Sequence, residues 1–335
     1  MKVLVISGFL GAGKTTFIKQ LIQTTGKYIV VLENEYGQND LDAQEIGRSG
    51  PPDLKLLEFM EGCVCCTRKD QFSNTILAIS AGIDPEYLVV EPTGVGRLSS
   101  ILAAIQKVSY DKIRILPPIV VLSPETYDVN MKDFGEIYQD QIANAGIVVL
   151  SKCEHADPAL MAAAAEKIRA INPHADILRE HYSNMPSQWW DSLLFAEGEE
   201  QVNVISGDDE NAPDMMQVTL KNGYLNNPAE LVLLLEDIMR YEFGNIPRAK
   251  GVIKAGKEWL RFSLADRRYA IMSEPETEET VTQCVFIGKE LDKQRIADRL
   301  NSYEDILFSW DAGDAAAVRT EAKVSKAKKN ILRKL

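Results

Sequence analysis

Short, mostly apolar runs recur through the first half of the chain, at 2–6, 28–32, 54–59, 87–90, 118–122 and Ile147–Leu150. They lack the strict alternation of a half-solvated strand and read as strands covered on both faces. The stretches between them are long enough for crossover helices, and Phe17, Ile18, Leu21 and Ile22 give 15–24 one apolar side. A second helix is expected over Pro158–Ile171, rich in alanine and stopped by Asn172-Pro173. Strand and helix in alternation predict a parallel α/β sheet. Beyond residue 213 the pattern changes: a strand at 216–220, a helix at 228–241, strands at 249–254, 259–264, 269–272 and 284–287, then a helix at 291–302. That order predicts a small antiparallel α+β sheet with helices on one face.

Between the two halves, 197–213 carries six acidic residues among Gly, Asn and Ser and reads as a linker. The expected organisation is therefore a first domain over 1–195, an acidic linker over 196–213, a second domain over 214–310 and a tail over 311–335. From Arg319 the tail has seven Lys/Arg against one Glu, and reads as a solvated helix. At 335 residues the chain can bury two cores. Its net charge of −12 argues against a nucleic-acid partner. No apolar run approaches the roughly 20 residues that cross a bilayer, and 3–6 is too short for a secretory leader core. Five cysteines, three of them bunched, do not make a secreted disulfide framework. The expectation is a cytoplasmic protein with reduced thiols.

Gly8-Phe9-Leu10-Gly11-Ala12-Gly13-Lys14-Thr15 fits G-x-x-x-x-G-K-[ST] at every position, after a strand and before a helix. In such a loop the amides around Gly8, Gly11, Ala12, Gly13 and Thr16 cradle phosphates, Lys14 reaches the β- and γ-phosphates, and the Thr15 hydroxyl ligates Mg²⁺. Val89-Val90-Glu91-Pro92-Thr93-Gly94 ends an apolar strand in an acid. Glu91 there can hold the Mg²⁺ shell, and Gly94 can donate its amide to the γ-phosphate. Ser151-Lys152-Cys153-Glu154 stands where a guanine-reading Asn-Lys-x-Asp would, with Glu154 able to accept the two hydrogens of the base edge. This favours GTP over ATP. Gly62-Cys63-Val64-Cys65-Cys66 is a dense soft-ligand cluster suited to Zn²⁺ or another thiophilic ion. Two thiolates with an outside carboxylate such as Glu35 fit one ion better than three adjacent thiolates do. Cys153 and Cys284 read as packing residues, His155, His174 and His181 as solvated ones. Asp40 and Asp42 divide evenly between a Mg²⁺ role and exposed turns, and Trp189-Trp190 reads as a seal on the first domain.

Together these stretches, with Glu33-Asn34-Glu35-Tyr36-Gly37, resemble the CobW-like P-loop GTPases, relatives of HypB and UreG. Pro247-Arg248-Ala249-Lys250-Gly251 and Val285-Phe286-Ile287-Gly288 are similar to that family's C-terminal domain, so the resemblance covers about 1–310. It implies a parallel-sheet domain of the SIMIBI type followed by a smaller α+β domain. It implies GTP hydrolysis coupled to metal delivery, with Cys63, Cys65 and Cys66 binding metal and Glu35 responding to the γ-phosphate. Expected partners are GTP or GDP, a metal ion and a client metalloprotein or corrinoid protein; a homodimer is a further option, a membrane is not. The chain lacks a His-rich stretch, and Val95–Ser100 lacks the Ala-Asp-Pro run common in the family, which leaves the cargo open. Two rival readings are a P-loop kinase for a small molecule and a metal-responsive binding module with a structural nucleotide site.

Overall fold

The computed structural model describes residues 1–33, 55–58, 69–109, 112–154, 156–195, 215–277, 280–301 and 304–308. Strands β1 (Lys2–Ser7), β2 (Ile29–Glu33), β3 (Lys55–Glu58), β4 (Tyr87–Glu91), β5 (Arg114–Ile115), β6 (Ile119–Leu122), β7 (Ile147–Leu150) and β8 (Asp176–Leu178) form one sheet. Its order is β3-β2-β4-β1-β6-β7-β8, with β5 on β1, and every pairing is parallel. Helices α1 (Lys14–Thr25), α2 (Lys69–Gly82), α3 (Leu98–Gln106), α4 (Tyr127–Ala143), α5 (Pro158–Ile171) and α6 (Ser187–Ser192) supply the crossovers and cover.

The apolar runs are continuous because both faces are packed. In β1, Val3 and Val5 join the core beneath α2 to α5, whereas Leu4 and Ile6 join the core beneath α1 and α6. Trp190 is fully buried in the second core, its ring 5.0 Å from Phe17 and 6.0 Å from Tyr182. The tryptophan pair thus seals this face, as the sequence predicts.

Strands β9 (Met216–Lys221), β10 (Tyr224–Leu225), β11 (Asn245–Ala255), β12 (Glu258–Ala265), β13 (Arg268–Ser273), β14 (Gln283–Lys289) and β15 (Glu304–Phe308) form a second sheet, order β13-β12-β11-β14-β9-β15. It is antiparallel except where β10 pairs with β11. Helices α7 (Pro228–Met239) and α8 (Lys293–Arg299) accompany it. Both are shorter than the sequence predicts: Tyr241 and Asn301 take left-handed backbone, φ 65° and 48°, which a continuing helix excludes. Strand β14 alternates between two cores. Cys284 and Phe286 pack within the second domain, while Val285 and Ile287 belong to the core of the first. The two sheets are therefore docked through apolar contact. No helix among the described residues is long and apolar enough to cross a membrane.

Candidate functional site

The polar groups of interest gather where the parallel strands end, the edge at which open α/β sheets bind ligands. Between β1 and α1, Gly8, Gly11 and Gly13 all have positive φ, at 144°, 75° and 95°. Gly13 caps α1 with no side chain on the first-turn amides, an arrangement suited to an anion. Lys14 is buried; its Nζ donates to the Gly8 carbonyl at 3.1 Å and the Phe9 carbonyl at 3.4 Å. The ammonium is thus held over the loop that a phosphate would fill. Thr16 lies exposed in the first turn. Ala12 is buried, and its carbonyl accepts from the Ser151 hydroxyl at 2.6 Å.

Thr15 donates its hydroxyl to Glu91, 3.0 Å from Oε1 and 3.3 Å from Oε2. Hydroxyl and carboxylate oxygens meeting at a phosphate loop are a hard-donor pair that fits Mg²⁺. Sequence reasoning missed Glu33. It is buried at the end of β2, in register with Glu91 on one side and Glu58 on the other. Its place as the last residue of a strand next to the acid-bearing strand was the available signal. Gly94 packs against the loop so closely that a Cβ would lie 2.5 Å from the Leu10 amide nitrogen. Buried Gln141 on α4 fixes that turn, donating to the carbonyls of Gly94 at 3.3 Å and Gly96 at 3.0 Å.

In the Ser151–Glu154 segment after β7, Ser151 is buried and also donates to the Leu122 carbonyl at 3.1 Å. Lys152 reaches Asp266 of the second domain, Nζ to Oδ2 2.9 Å. Glu154 is half-exposed and meets His181 Nε2 at 3.1 Å. This corrects the reading of His181 as a solvated residue: its ring also lies 4.3 Å from Tyr182 and contacts the Ser183 hydroxyl. Residues 153 and 284 are free thiols used in packing, and burial raises the pKa of both. Glu35, Asp40, Asp42, His155, Cys63, Cys65 and Cys66 lie outside the described residues. The segments that hold Glu35, Asp40, Asp42 and the three cysteines nonetheless begin directly after Glu33 and Glu58, neighbours in one row. Among the described residues no group of three or more His, Cys, Asp or Glu could hold a metal ion.

The model of the CobW/HypB/UreG nucleotide-binding domain matches residues 2–179, and that of the cobalamin synthesis protein cobW C-terminal domain matches 216–304. The zinc chaperone YjiA of Escherichia coli (strain K12) is 25% identical over 316 residues, covering 88% of this chain and 96% of YjiA. The zinc chaperone YeiR of the same organism is 30% identical over 156 residues, 46% of this chain and 47% of YeiR. The chain thus spans about half the length of YeiR, against nearly all of YjiA. The crystal structure of Zn(II)-bound YjiA GTPase from E. coli superposes with a TM-score of 0.42 at 19% identity, over 90% of this chain and 98% of that one. With the nucleotide-binding match extending over more than half of its length, the chain belongs to the CobW/HypB/UreG family.

Proposed function

We propose that this protein hydrolyses GTP and couples hydrolysis to the capture of a thiophilic metal ion, Zn²⁺ foremost, and its delivery to a client metalloprotein or corrinoid protein. The observation that carries the reading is the row at the strand ends. Thr15 sits on Glu91, Glu33 lies beside it, and the segments bearing Glu35 and the three cysteines leave from Glu33 and Glu58. A change at the γ-phosphate is thereby felt where both segments are rooted. The names of the relatives, zinc chaperone and zinc-regulated GTPase metalloprotein activator, support the same reading.

The chain's own contribution to hydrolysis is positioning and charge neutralisation. Lys14 exchanges its two carbonyl contacts for oxygens of the β- and γ-phosphates. The uncapped amides of α1 and the Gly94 amide complete the phosphate cradle. Thr15 and Glu91 would hold Mg²⁺, which when bound offsets charge on the phosphates. Glu154 accepts the paired hydrogens of the guanine edge, so GTP should bind at least ~10-fold tighter than ATP. Cys63, Cys65 and Cys66, with Glu35, take the metal cargo. Free thiols at half-buried Cys153 and buried Cys284 support a reducing, cytoplasmic setting.

Titrating Zn²⁺ into the protein loaded with a GTP analogue or with GDP tests the coupling. Affinities differing by roughly 5–150-fold are expected, and metal should change nucleotide affinity by the same factor. Replacing Cys65 and Cys66 by Ser should erase the difference while nucleotide still binds, because serine is a poor ligand for soft ions. Identical isotherms in the two states would sink the mechanism.

A further inference from the structure

Strands β12 and β13 are joined by a two-residue turn, Asp266-Arg267, with φ of 52° and 55°. Turns of this hand favour Asn-Gly or Gly-Gly, because positive φ crowds a Cβ. Arginine in the second position is locally strained, so the turn gives up conformational ease to keep its side chains.

Asp266 contacts the nucleotide-binding domain directly, and Arg267 reaches it through Tyr241. The Asp266 carboxylate is 2% exposed. It accepts from Lys152 Nζ at 2.9 Å and from the hydroxyl of Thr126, the residue that caps α4. Arg267 donates to the Tyr241 hydroxyl at 2.8 Å, and Tyr241 donates to Asp133 of α4 at 3.0 Å. At the next position Arg268 pairs with Glu125. The backbone of the turn lies on the phosphate loop itself: a Cβ at Gly11 would stand 2.4 Å from the Ala265 Cβ and 3.1 Å from the Asp266 nitrogen. One hairpin tip thus touches the phosphate loop, the start of α4 and the base-reading segment.

Lys152 has left-handed backbone, φ 55°, and its side chain is 27% exposed. A lysine stem is flexible, and an unanchored one would sample many rotamers beside the base. The buried carboxylate removes that freedom and is delivered by a different domain.

We infer that Asp266 is a positioning residue for purine recognition. It holds Lys152 in one rotamer beside Glu154, so that discrimination of guanine from adenine depends on the docked second domain. This rests on the nucleotide site proposed above. An ion pair that only glues the domains would affect all nucleotides alike.

The test compares fluorescent GDP and ADP binding to the full-length protein, its Asp266→Ala and Asp266→Asn variants, Lys152→Ala and the Asp266→Ala/Lys152→Ala double variant. Asp266→Ala is expected to weaken GDP about tenfold and ADP less than twofold. Asp266→Asn, which keeps the shape and an acceptor for Thr126 but loses the charge, should fall in between. Lys152→Ala should match Asp266→Ala, and the double variant should lose no more than either. Equal losses for the two nucleotides, or losses that add in the double variant, overturn the inference. Should Asp266→Ala fail to melt cooperatively, the GDP-to-ADP ratio of Asp266→Asn decides in the same way. A parent protein that binds GDP and ADP equally overturns it too, while one that binds neither overturns the nucleotide site itself.

Discussion

Ser151 joins two parts of the site through one hydroxyl. It stands where the guanine-reading pattern has Asn, yet it ties the phosphate loop to the base segment through Ala12 and to β6 through Leu122. Ser151→Ala leaves the buried Ala12 carbonyl without that bond, a loss of about 1 kcal/mol. GDP affinity should fall roughly three- to tenfold, as measured by fluorescence titration, while the fold is retained. Cys284 offers a second check. Fully buried, with its thiol pKa pushed far up by desolvation, it should stay silent to a thiol reagent until the chain unfolds. The half-buried Cys153 should react slowly. Prompt modification of Cys284 in the native protein would contradict its place in the core. At this scale the glycines, Lys14, Thr15 and Glu91 were legible because the phosphate loop is a local sequence word. His181 was not, since its partner Glu154 is distant in sequence and only the path of the chain after β8 brings them together.

The strands were legible for a physical reason. A parallel strand packed on both faces must be apolar along its interior, as β6 and β7 are throughout and β1, β2 and β4 are apart from polar end residues such as Glu33 and Glu91. Two-residue β5 and β10 carry too few side chains to mark themselves. Helix α3 is buried nearly all round, so no polar stripe reveals its period. Helix α4 is interrupted at Phe134, φ −136° and ψ 33°, just before Gly135. There Phe134 packs 4.9 Å from Phe9 of the phosphate loop, with Lys289 Nζ 4.9 Å from its ring. Helix α5, by contrast, announces both ends. Asp157 accepts from the Ala159 amide at 2.8 Å, Pro158 takes the first position, and Asn172 closes it. Asp157→Ala should lower stability by about 1 kcal/mol in urea unfolding, the usual worth of such a cap. An unchanged midpoint would mean the exposed cap contributes nothing here.

In the whole molecule the change of pattern after residue 213 was legible as a second domain, but its docking was not. Val285 and Ile287 look like any inward residues of a strand, and nothing local says that they enter the core of the other sheet. Because that core is shared, nucleotide bound to the first domain should raise the melting temperature of both together. At 100 times Kd the stabilisation is about 2.7 kcal/mol. A single shifted transition in calorimetry is expected. Two transitions with only the first responding would mean the domains melt independently.

The bond from Lys152 to Asp266 spans 114 positions of sequence. During synthesis, at roughly 5–20 residues per second, the lysine emerges several seconds before its anchor. The phosphate loop and its β4 and β6 neighbours are complete earlier still, so under the proposed function a growing chain would pass through a period of gripping phosphates before it could choose the base. On the reading proposed here, full selectivity would be among the last properties the molecule acquires, and a chain cut before residue 266 would lack the share of it that Asp266 supplies.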